Sequence, residues 1–88
     1  MKTAIVILNW NTRRHLETFL PFLVKYSVSP EVKIIVADNA SEDDSVAFLK
    51  TNYPQIDLIQ LDRNYGFAEG YNRALKQVEA EYYVILNS

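Results

Sequence analysis

The chain contains no cysteine and only one histidine among its 88 residues. The absence of cysteine excludes a disulfide, a thiolate metal site and a cysteine nucleophile, and it fits a reducing compartment. One histidine leaves little with which to build a zinc site. We therefore expect a cytoplasmic protein without a zinc centre.

Long apolar segments and an excess of one charge are missing as well. The longest uninterrupted apolar run, Ala4 to Leu8, is far shorter than the roughly 20 residues that span a bilayer. Nine basic and eleven acidic residues give a net charge of −2 and a pI near 5.2, which offers no general attraction to nucleic acid or anionic lipid. We expect neither a membrane segment in this chain nor a nucleic-acid partner.

The composition that remains is that of an ordinary globular protein, with 49% apolar and 23% charged residues. Only two glycines and three prolines occur, and no stretch of the sequence resembles a linker. A chain of 88 residues is too short for two domains. We expect residues 1–88 to form a single domain.

Apolar, β-branched runs predict four strands, at residues 3–8, 32–37, 56–61 and 82–86. The third run carries polar residues and is expected at a sheet edge. Helical spacing of apolar residues predicts a helix in each of the three intervals.

The helix boundaries are predicted from capping and breaking residues. Asn11 or Thr12 is expected to cap the first helix, which Pro21 should kink or restart. Ser41, followed by an acid three residues later, is expected to open the second helix. The third helix is expected from Phe67 to about residue 78, with Phe67 on its inward face.

Four strands that alternate with three helices predict an α/β fold, a Rossmann-like three-layer α/β/α arrangement with a mostly parallel sheet. In such folds, ligands bind beyond the carboxyl ends of the strands, near the point where the strand order reverses. A polar cluster follows each predicted strand, at residues 9–11, 38–39, 62–64 and 87–88. These clusters should gather at one rim of the sheet, and this convergence is the main functional signal.

The residues at the rim favour a nucleoside over a phosphate loop. Neither the glycines of a dinucleotide site nor a Gly-Lys-Ser/Thr phosphate loop is present. Trp10 could stack on a base, and Asp38 could accept hydrogen bonds from a base or a ribose. Asp38, Asn9 and Asn11 are equally well explained as turn or cap residues, and Trp10 as a ring that covers the sheet end.

Both glycines of the chain fall within residues 64–72. Gly66 is expected at a turn with positive φ, and Gly70 early in a helix, where it is less stable than alanine by up to about 1 kcal/mol. Free N–H groups at that helix start could face a diphosphate. Close packing of the helix against the sheet is the alternative explanation.

Four motifs, in this order and each after a strand, together resemble the amino-terminal part of family-2 glycosyltransferases with the GT-A fold. The similarity is strongest to the rhamnosyltransferase-type branch that builds bacterial surface polysaccharides. The motifs are residues 4–11, 36–41, 63–72 and 86–88.

The resemblance implies roles for individual residues. Asn9 and Trp10 would line the nucleoside pocket, Asp38 would hold the base or the ribose, and Asn11 and Asn87 are further candidates for binding the nucleotide. The wall around the donor would be shaped by Asn64, Gly66 and Asn72.

The resemblance also implies what the chain should lack. Asn87 stands where the family's DxD-like motif begins, and the metal-binding carboxylate would be the next residue, so we expect a chain truncated before it. The complete, inverting enzyme would use Mg²⁺ or Mn²⁺ and a UDP- or dTDP-sugar, with a catalytic base from later in the sequence. No catalytic or metal-binding residue is therefore assigned here, and the chain alone should be inactive.

In the complete enzyme, an acceptor glycan or lipid-linked saccharide would receive the sugar, with the parent protein at the cytoplasmic face of the membrane. The alternatives are a non-catalytic α/β domain that binds nucleotides or proteins, and a structural fragment that binds nothing. Uncovered apolar surface after the fourth strand also predicts a homodimer.

Overall fold

A computed structural model describes residues 2–26 and 29–88. The elements are β1 (Thr3–Asn9), α1 (Arg13–Tyr26), β2 (Val32–Asp38), α2 (Ser45–Asn52), β3 (Asp57–Gln60), α3 (Gly66–Leu75) and β4 (Tyr82–Asn87). The predicted alternation of strands and helices is confirmed. Three of the strands extend one residue beyond the predicted ends because their polar last residues still pair with a neighbouring strand.

The four strands form one parallel sheet in the order β3-β2-β1-β4. Strands β2 and β3 are added in sequence on one side of β1, and the connection after β3 then crosses the sheet so that β4 pairs with the other side of β1. The reversal of strand order therefore lies between β1 and β4, and β3 is an edge strand as predicted.

Helices cover both faces of the sheet, as predicted for the α/β class. Alternate residues of β1 and β2 face α3 on one side, here called the α3 side, and the pair α1 and α2 on the other, here called the α1–α2 side. The buried core on the α3 side comprises Ala4, Val6, Leu8, Ile35, Ala37, Leu61, Tyr71, Ala74 and Val78. The buried core on the α1–α2 side comprises Ile5, Ile7, Leu16, Leu20, Val36, Leu49 and Ile56.

Two of the predicted helix features are wrong. Helix α1 continues through Pro21 without interruption, because its apolar face packs on the sheet while the proline lies on the exposed face. Helix α2 begins at Ser45 rather than next to Ser41, whose hydroxyl donates to Asp38 instead of capping a helix.

The prediction for Phe67 is also wrong, because it placed this side chain on the inward face of α3. Its side chain is 60% exposed, and its ring meets the edge of the Tyr71 ring at a centroid distance of 5.0 Å. Helix α3 begins at Gly66, which turns Phe67 outward in the first turn, and the buried face comprises Gly70, Tyr71 and Ala74.

Strand β4 is the second edge of the sheet, and its side chains are poorly covered. Four consecutive apolar residues, Tyr82 to Ile85, are between 41% and 61% exposed. Because neighbouring residues of a strand face opposite sides, apolar surface is exposed on both faces of β4. None of the helices within residues 2–26 and 29–88 has both the length and the hydropathy to cross a bilayer.

Candidate nucleotide site

A cavity of about 300 Å³ opens at the rim, beyond the ends of β1 and β4. It is lined by Leu8, Trp10, Asn39, Asn64, Gly66, Phe67, Asn87 and Ser88. The cavity therefore lies at the reversal of strand order, where α/β sheets bind ligands. Its volume is at the lower end of the range of small-molecule sites.

The cavity combines aromatic surface with neutral polar groups. Trp10 is 47% exposed, so its indole is accessible to a ligand. Asn64, Asn87 and Ser88 provide amide and hydroxyl groups around it. No Asp, Glu or His lines the cavity within the part of the chain that the structure describes.

Asp38 lies on the α1–α2 side of the rim and is only 2% exposed. One carboxylate oxygen accepts from Asn9 Nδ2 at 2.9 Å and from Ser41 Oγ at 2.7 Å. The other accepts from the backbone N–H of Ser41 at 2.9 Å. Asp38 thus organises a buried network, here called the Asp38 network, together with Asn9 and Ser41.

Asn11 extends the Asp38 network to the loop that precedes α2. Its backbone N–H donates to Ser41 Oγ at 2.9 Å, and its Oδ1 accepts from the backbone N–H groups of Glu42 and Asp43 at 2.7 and 3.2 Å. Asn11 adopts a left-handed conformation with φ of 52°, which asparagine tolerates better than most residues. The side chain is therefore committed to holding two loops together.

Asp43 places its carboxylate at the beginning of α1, where the helix dipole favours a negative charge. It accepts from the backbone N–H groups of Ser45 at 3.0 Å and Arg13 at 3.3 Å. Slight burial acts to raise the pKa of Asp43, but hydrogen bonds from Ser45 and Arg13 and the Arg13 guanidinium outweigh it and lower the pKa. The α1–α2 side of the rim is thus organised around carboxylates.

Asn39 follows Asp38 directly and faces the α3 side. Its Oδ1 accepts from the backbone N–H of Tyr65 at 3.0 Å. Its Nδ2 donates to Asn64 Oδ1 and to the Gly66 carbonyl oxygen, both at 3.0 Å. This one carboxamide connects the end of β2 to the segment that leads into α3.

Helix α3 approaches the sheet closely through two residues. A Cβ at Gly70 would lie 3.1 Å from Asn39 Nδ2 and 3.2 Å from the Leu8 methyl groups, so the position has no room for a side chain without adjustment. The Tyr71 hydroxyl donates to the Leu86 carbonyl and accepts from the Leu8 backbone N–H at 3.4 Å. Burial raises the pKa of Tyr71, and the Leu8 contact offsets only part of this rise.

Comparison with known proteins agrees with this geometry. The family model described as "Glycosyl transferase family 2" matches residues 4–88. The chain belongs to glycosyl transferase family 2. The predicted family and the predicted GT-A-like α/β fold are thereby confirmed.

Individual relatives are longer than this chain. An uncharacterized glycosyltransferase of Bacillus subtilis (strain 168), YfnE, is 30% identical over 90 residues, which cover 100% of this chain and 23% of YfnE. S. aureus TarS 1-349 in complex with UDP has a TM-score of 0.85 and 26% identity, over 100% of this chain and 27% of TarS 1-349.

A more distant structure shows the fold alone. The mannosyltransferase PcManGT from Pyrobaculum calidifontis, solved with GDP-Man and Mn²⁺, has a TM-score of 0.72 and 19% identity, over 89% of this chain and 24% of its own. The chain thus spans about a quarter of the length of these glycosyltransferase relatives.

The residues predicted for the site of this family-2 domain fall into two groups, those that line the cavity and those that do not. The cavity is lined by Trp10, Asn64, Gly66 and Asn87. The other predicted residues, Asn9, Asn11, Asp38 and Asn72, do not line it.

These four residues lie outside the cavity lining in three different environments. Asn9 and Asp38 are buried and hydrogen-bonded to each other, and Asn11 is bound to the loop before α2. Asn72 is exposed on α3 and does not line the cavity. The Asp38 carboxylate therefore lies outside the lining of the cavity that the Trp10 ring borders, and its contact with a nucleoside stays a prediction.

Sequence reasoning had not assigned Asn39, Phe67 or Ser88 to the cavity. Asn39 and Ser88 belong to the polar clusters after β2 and β4, which was the available signal. Ser88 Oγ donates to the Leu8 carbonyl at 3.0 Å and lies 2.6 Å from Thr12 Oγ1. It thereby links the end of β4 to the loop that follows β1.

The residues present do not fit a metal centre. Residues 2–26 and 29–88 contain no group of three His, Cys, Asp or Glu side chains arranged to hold an ion. Asn87, at the beginning of the DxD-like motif, would contribute at most one neutral amide oxygen.

Proposed function

We propose that the rim cavity binds the nucleotide part of a nucleotide-sugar donor, and that the protein acts as a glycosyltransferase. The observation that carries this proposal is an accessible indole, Trp10, in a polar cavity at the reversal of strand order of a family-2 domain. An indole face stabilises a stacked base by about 1–3 kcal/mol.

The nucleotide proposed is UDP, with dTDP as the nearest competitor. The structure of TarS with UDP supports this choice, because TarS shares the fold over 100% of this chain with 26% identity. We expect UDP and dTDP to bind more tightly than GDP.

Trp10 provides a direct test because it is the only tryptophan in the chain. Titration with UDP should change its intrinsic fluorescence in a saturable way, since the base stacks on the indole. Inorganic pyrophosphate, which has no base, is the control and should leave the emission unchanged. UDP binding measured by calorimetry without any change in Trp10 emission would place the base elsewhere.

A substitution of Trp10 tests whether the affinity for UDP depends on stacking against the indole. Trp10→Ala should weaken UDP binding in calorimetry by about tenfold or more, from the loss of one stacking contact. Phe22→Ala is the matched control, because Phe22 is 64% exposed on α1 and does not line the cavity. Equal affinities for the two variants and the wild type would rule out the proposed site.

Transfer of the sugar to an acceptor glycan or lipid-linked saccharide is proposed for a protein of the relatives' length. The cavity of the present chain contains no group that could serve as a general base near neutral pH. We therefore expect this chain to bind the donor without transferring the sugar. Sugar transfer by the purified chain to any offered acceptor would contradict that expectation.

Three further predictions remain proposals. For a protein of the relatives' length, a divalent cation at the donor and a cytoplasmic location are proposed. Self-association of the chain is proposed through β4, whose apolar side chains are exposed on both faces. Light scattering should show a dimer that Ile85→Lys abolishes, whereas a monomer at all concentrations would contradict it.

A further inference from the structure

Within residues 2–26 and 29–88, the carboxamide of Asn39 joins the end of β2 to the cavity wall at residues 64–67, here called the α3 wall. Asn39 is 2% exposed, and its nitrogen and its oxygen both point into this wall. We propose that Asn39 is the positioning residue of the nucleotide site: it fixes the α3 wall, and its function requires a donor and an acceptor on the same side chain. This inference rests on the proposed nucleotide-binding function.

The chemistry of the contacts explains why a carboxamide is required. The Tyr65 backbone N–H needs an acceptor, whereas the Gly66 carbonyl and Asn64 Oδ1 need a donor. Asparagine provides both, while an ionised carboxylate provides acceptors only. An aspartate at position 39 would retain the Tyr65 contact, but it would place a negative charge next to Asn64 Oδ1 and the Gly66 carbonyl oxygen.

The Asn39 contacts hold the backbone of the α3 wall, whereas the other contacts of Tyr65 there are made by its ring, which packs on the α3-side core and lies under the Arg73 guanidinium. Gly66 adopts a φ of 77°, and the nearest local contact is the donation of its N–H to Asn64 Oδ1 at 2.8 Å. Asn64 Oδ1 thus accepts from both Asn39 and Gly66, so the side chain that lines the cavity is oriented by Asn39. Displacement of this wall would move Asn64 and Phe67 relative to the Trp10 ring.

The surroundings of Asn39 make the effect of a carboxylate dependent on pH. The Asn39 amide bonds to Asn64, Tyr65 and Gly66 of the α3 wall, and none of these groups is charged near neutral pH. Asp38, its neighbour in the chain, belongs to the other side of the sheet. The cations next to the α3 wall are Arg63 and Arg73, whose guanidinium groups lie over the Tyr65 ring. Burial at the 2% exposed position 39 and the neighbouring Asp38 charge should raise the pKa of an introduced carboxyl above the usual value near 4.

The first experiment uses Asn39→Asp in the full chain, with UDP as the probe. Near pH 8 the variant should bind UDP at least about tenfold more weakly than the wild type. Near pH 5 the introduced carboxyl should be protonated and able to donate again, so the deficit should shrink to about threefold or less. A deficit that is equal at both pH values would overturn the requirement for a donor.

Asn52→Asp is the matched control, because it makes the same chemical change at an exposed residue on α2. Asn52 Nδ2 donates only to the Phe48 carbonyl at 3.1 Å, far from the cavity lining. Its UDP affinity should stay within about twofold of the wild type at both pH values. A matching pH-dependent loss in Asn52→Asp would overturn the assignment to Asn39.

A second measurement, amide hydrogen exchange, requires no nucleotide. The Tyr65 amide should stay protected in Asn39→Asp, which retains the acceptor, and should exchange at least about tenfold faster in Asn39→Ala, with protection of the β1 amides unchanged in both variants. Unchanged Tyr65 protection in Asn39→Ala would overturn the positioning role. If the wild type fails to bind UDP, the proposed function fails and the link to affinity fails with it, while the exchange data still decide whether Asn39 fixes the α3 wall.

Discussion

The two sides of the rim begin from adjacent residues and use opposite chemistry. On the α1–α2 side, the Asp38 carboxylate binds Asn9 and Ser41 in a buried network. On the α3 side, the neutral amide of Asn39 holds a wall that borders an open cavity. The two sides thus differ in charge and in access: the carboxylate lies within a buried network, whereas neutral side chains line the open cavity.

The largest effect is expected from removal of the carboxylate. Asp38→Ala should lower the free energy of unfolding by about 2–4 kcal/mol, because it removes the acceptor of three hydrogen bonds from Asn9 and Ser41 and leaves Asn9 Nδ2 only its 3.3 Å contact with Ser41 Oγ. Urea denaturation measures the change. The control is Asp57→Ala, which removes a half-exposed ion pair with Lys33 and should cost about 0–1 kcal/mol. Similar losses for both variants would show that the Asp38 network is not a special source of stability.

The next effect tests how closely α3 approaches the sheet. Gly70→Ala gains about 1 kcal/mol of helix propensity but overpacks Asn39 and Leu8 at a cost of about 1–3 kcal/mol, so we expect a net loss of about 1 kcal/mol. In an Asn39→Ala background the loss should be smaller, whereas in an Asn52→Ala background it should be unchanged. A net gain in stability from Gly70→Ala would mean that Asn39 and Leu8 can shift to accommodate a methyl group at little energetic cost.

A loss of about 1 kcal/mol is also expected from Tyr71→Phe, which removes the hydroxyl that joins α3 to β1 and β4. Burial raises the pKa of Tyr71, so its contribution is complete below the unfolded pKa of about 10 and declines as the pH rises through the higher folded value. Denaturation across alkaline pH should therefore show a steeper loss for the wild type than for Tyr71→Phe. Tyr82→Phe, at a 61% exposed tyrosine, should retain the wild-type slope.

The smallest effect is expected on the carboxylate side in acid. The pKa of Asp43 is lowered, because hydrogen bonds from Ser45 and Arg13 outweigh its slight burial. Its contribution is therefore present above the unfolded pKa of about 4 and is lost as the pH falls through the lower folded value. Asp43→Asn should cost a few tenths of a kcal/mol near pH 7 and almost nothing near pH 2, since the site is exposed. An equal cost at both pH values would assign the effect to packing.

The order of the elements and the position of the rim were predictable because they depend on short-range patterns. β-branched runs mark β1 and β2, and a polar cluster follows each strand. In a parallel sheet, the ends of the strands meet at one edge whatever the details of packing. The family motifs then point to a nucleotide at that edge.

The arrangement within the rim was not predicted, although strand geometry contained part of the answer. Asn9 pairs in register with Asp38, so their side chains share a face, and Trp10, one residue further on, turns to the other face. Alternation alone therefore separates Trp10 from Asp38. The outward position of Phe67 depends on where α3 begins, which the sequence defines only within a residue or two.

The adjacency of Asp38 and Asn39 limits how this domain can change in length. Insertion or deletion of a single residue in β2 would rotate both side chains to the wrong faces, and it would dismantle the buried network and the α3 wall in one event. The connections at residues 53–56 and 76–81 lie between elements, so a change in their length does not alter which face of the sheet a β2 side chain occupies. Gain or loss of residues in natural variants of this domain should therefore concentrate in those connections and avoid the interior of β2.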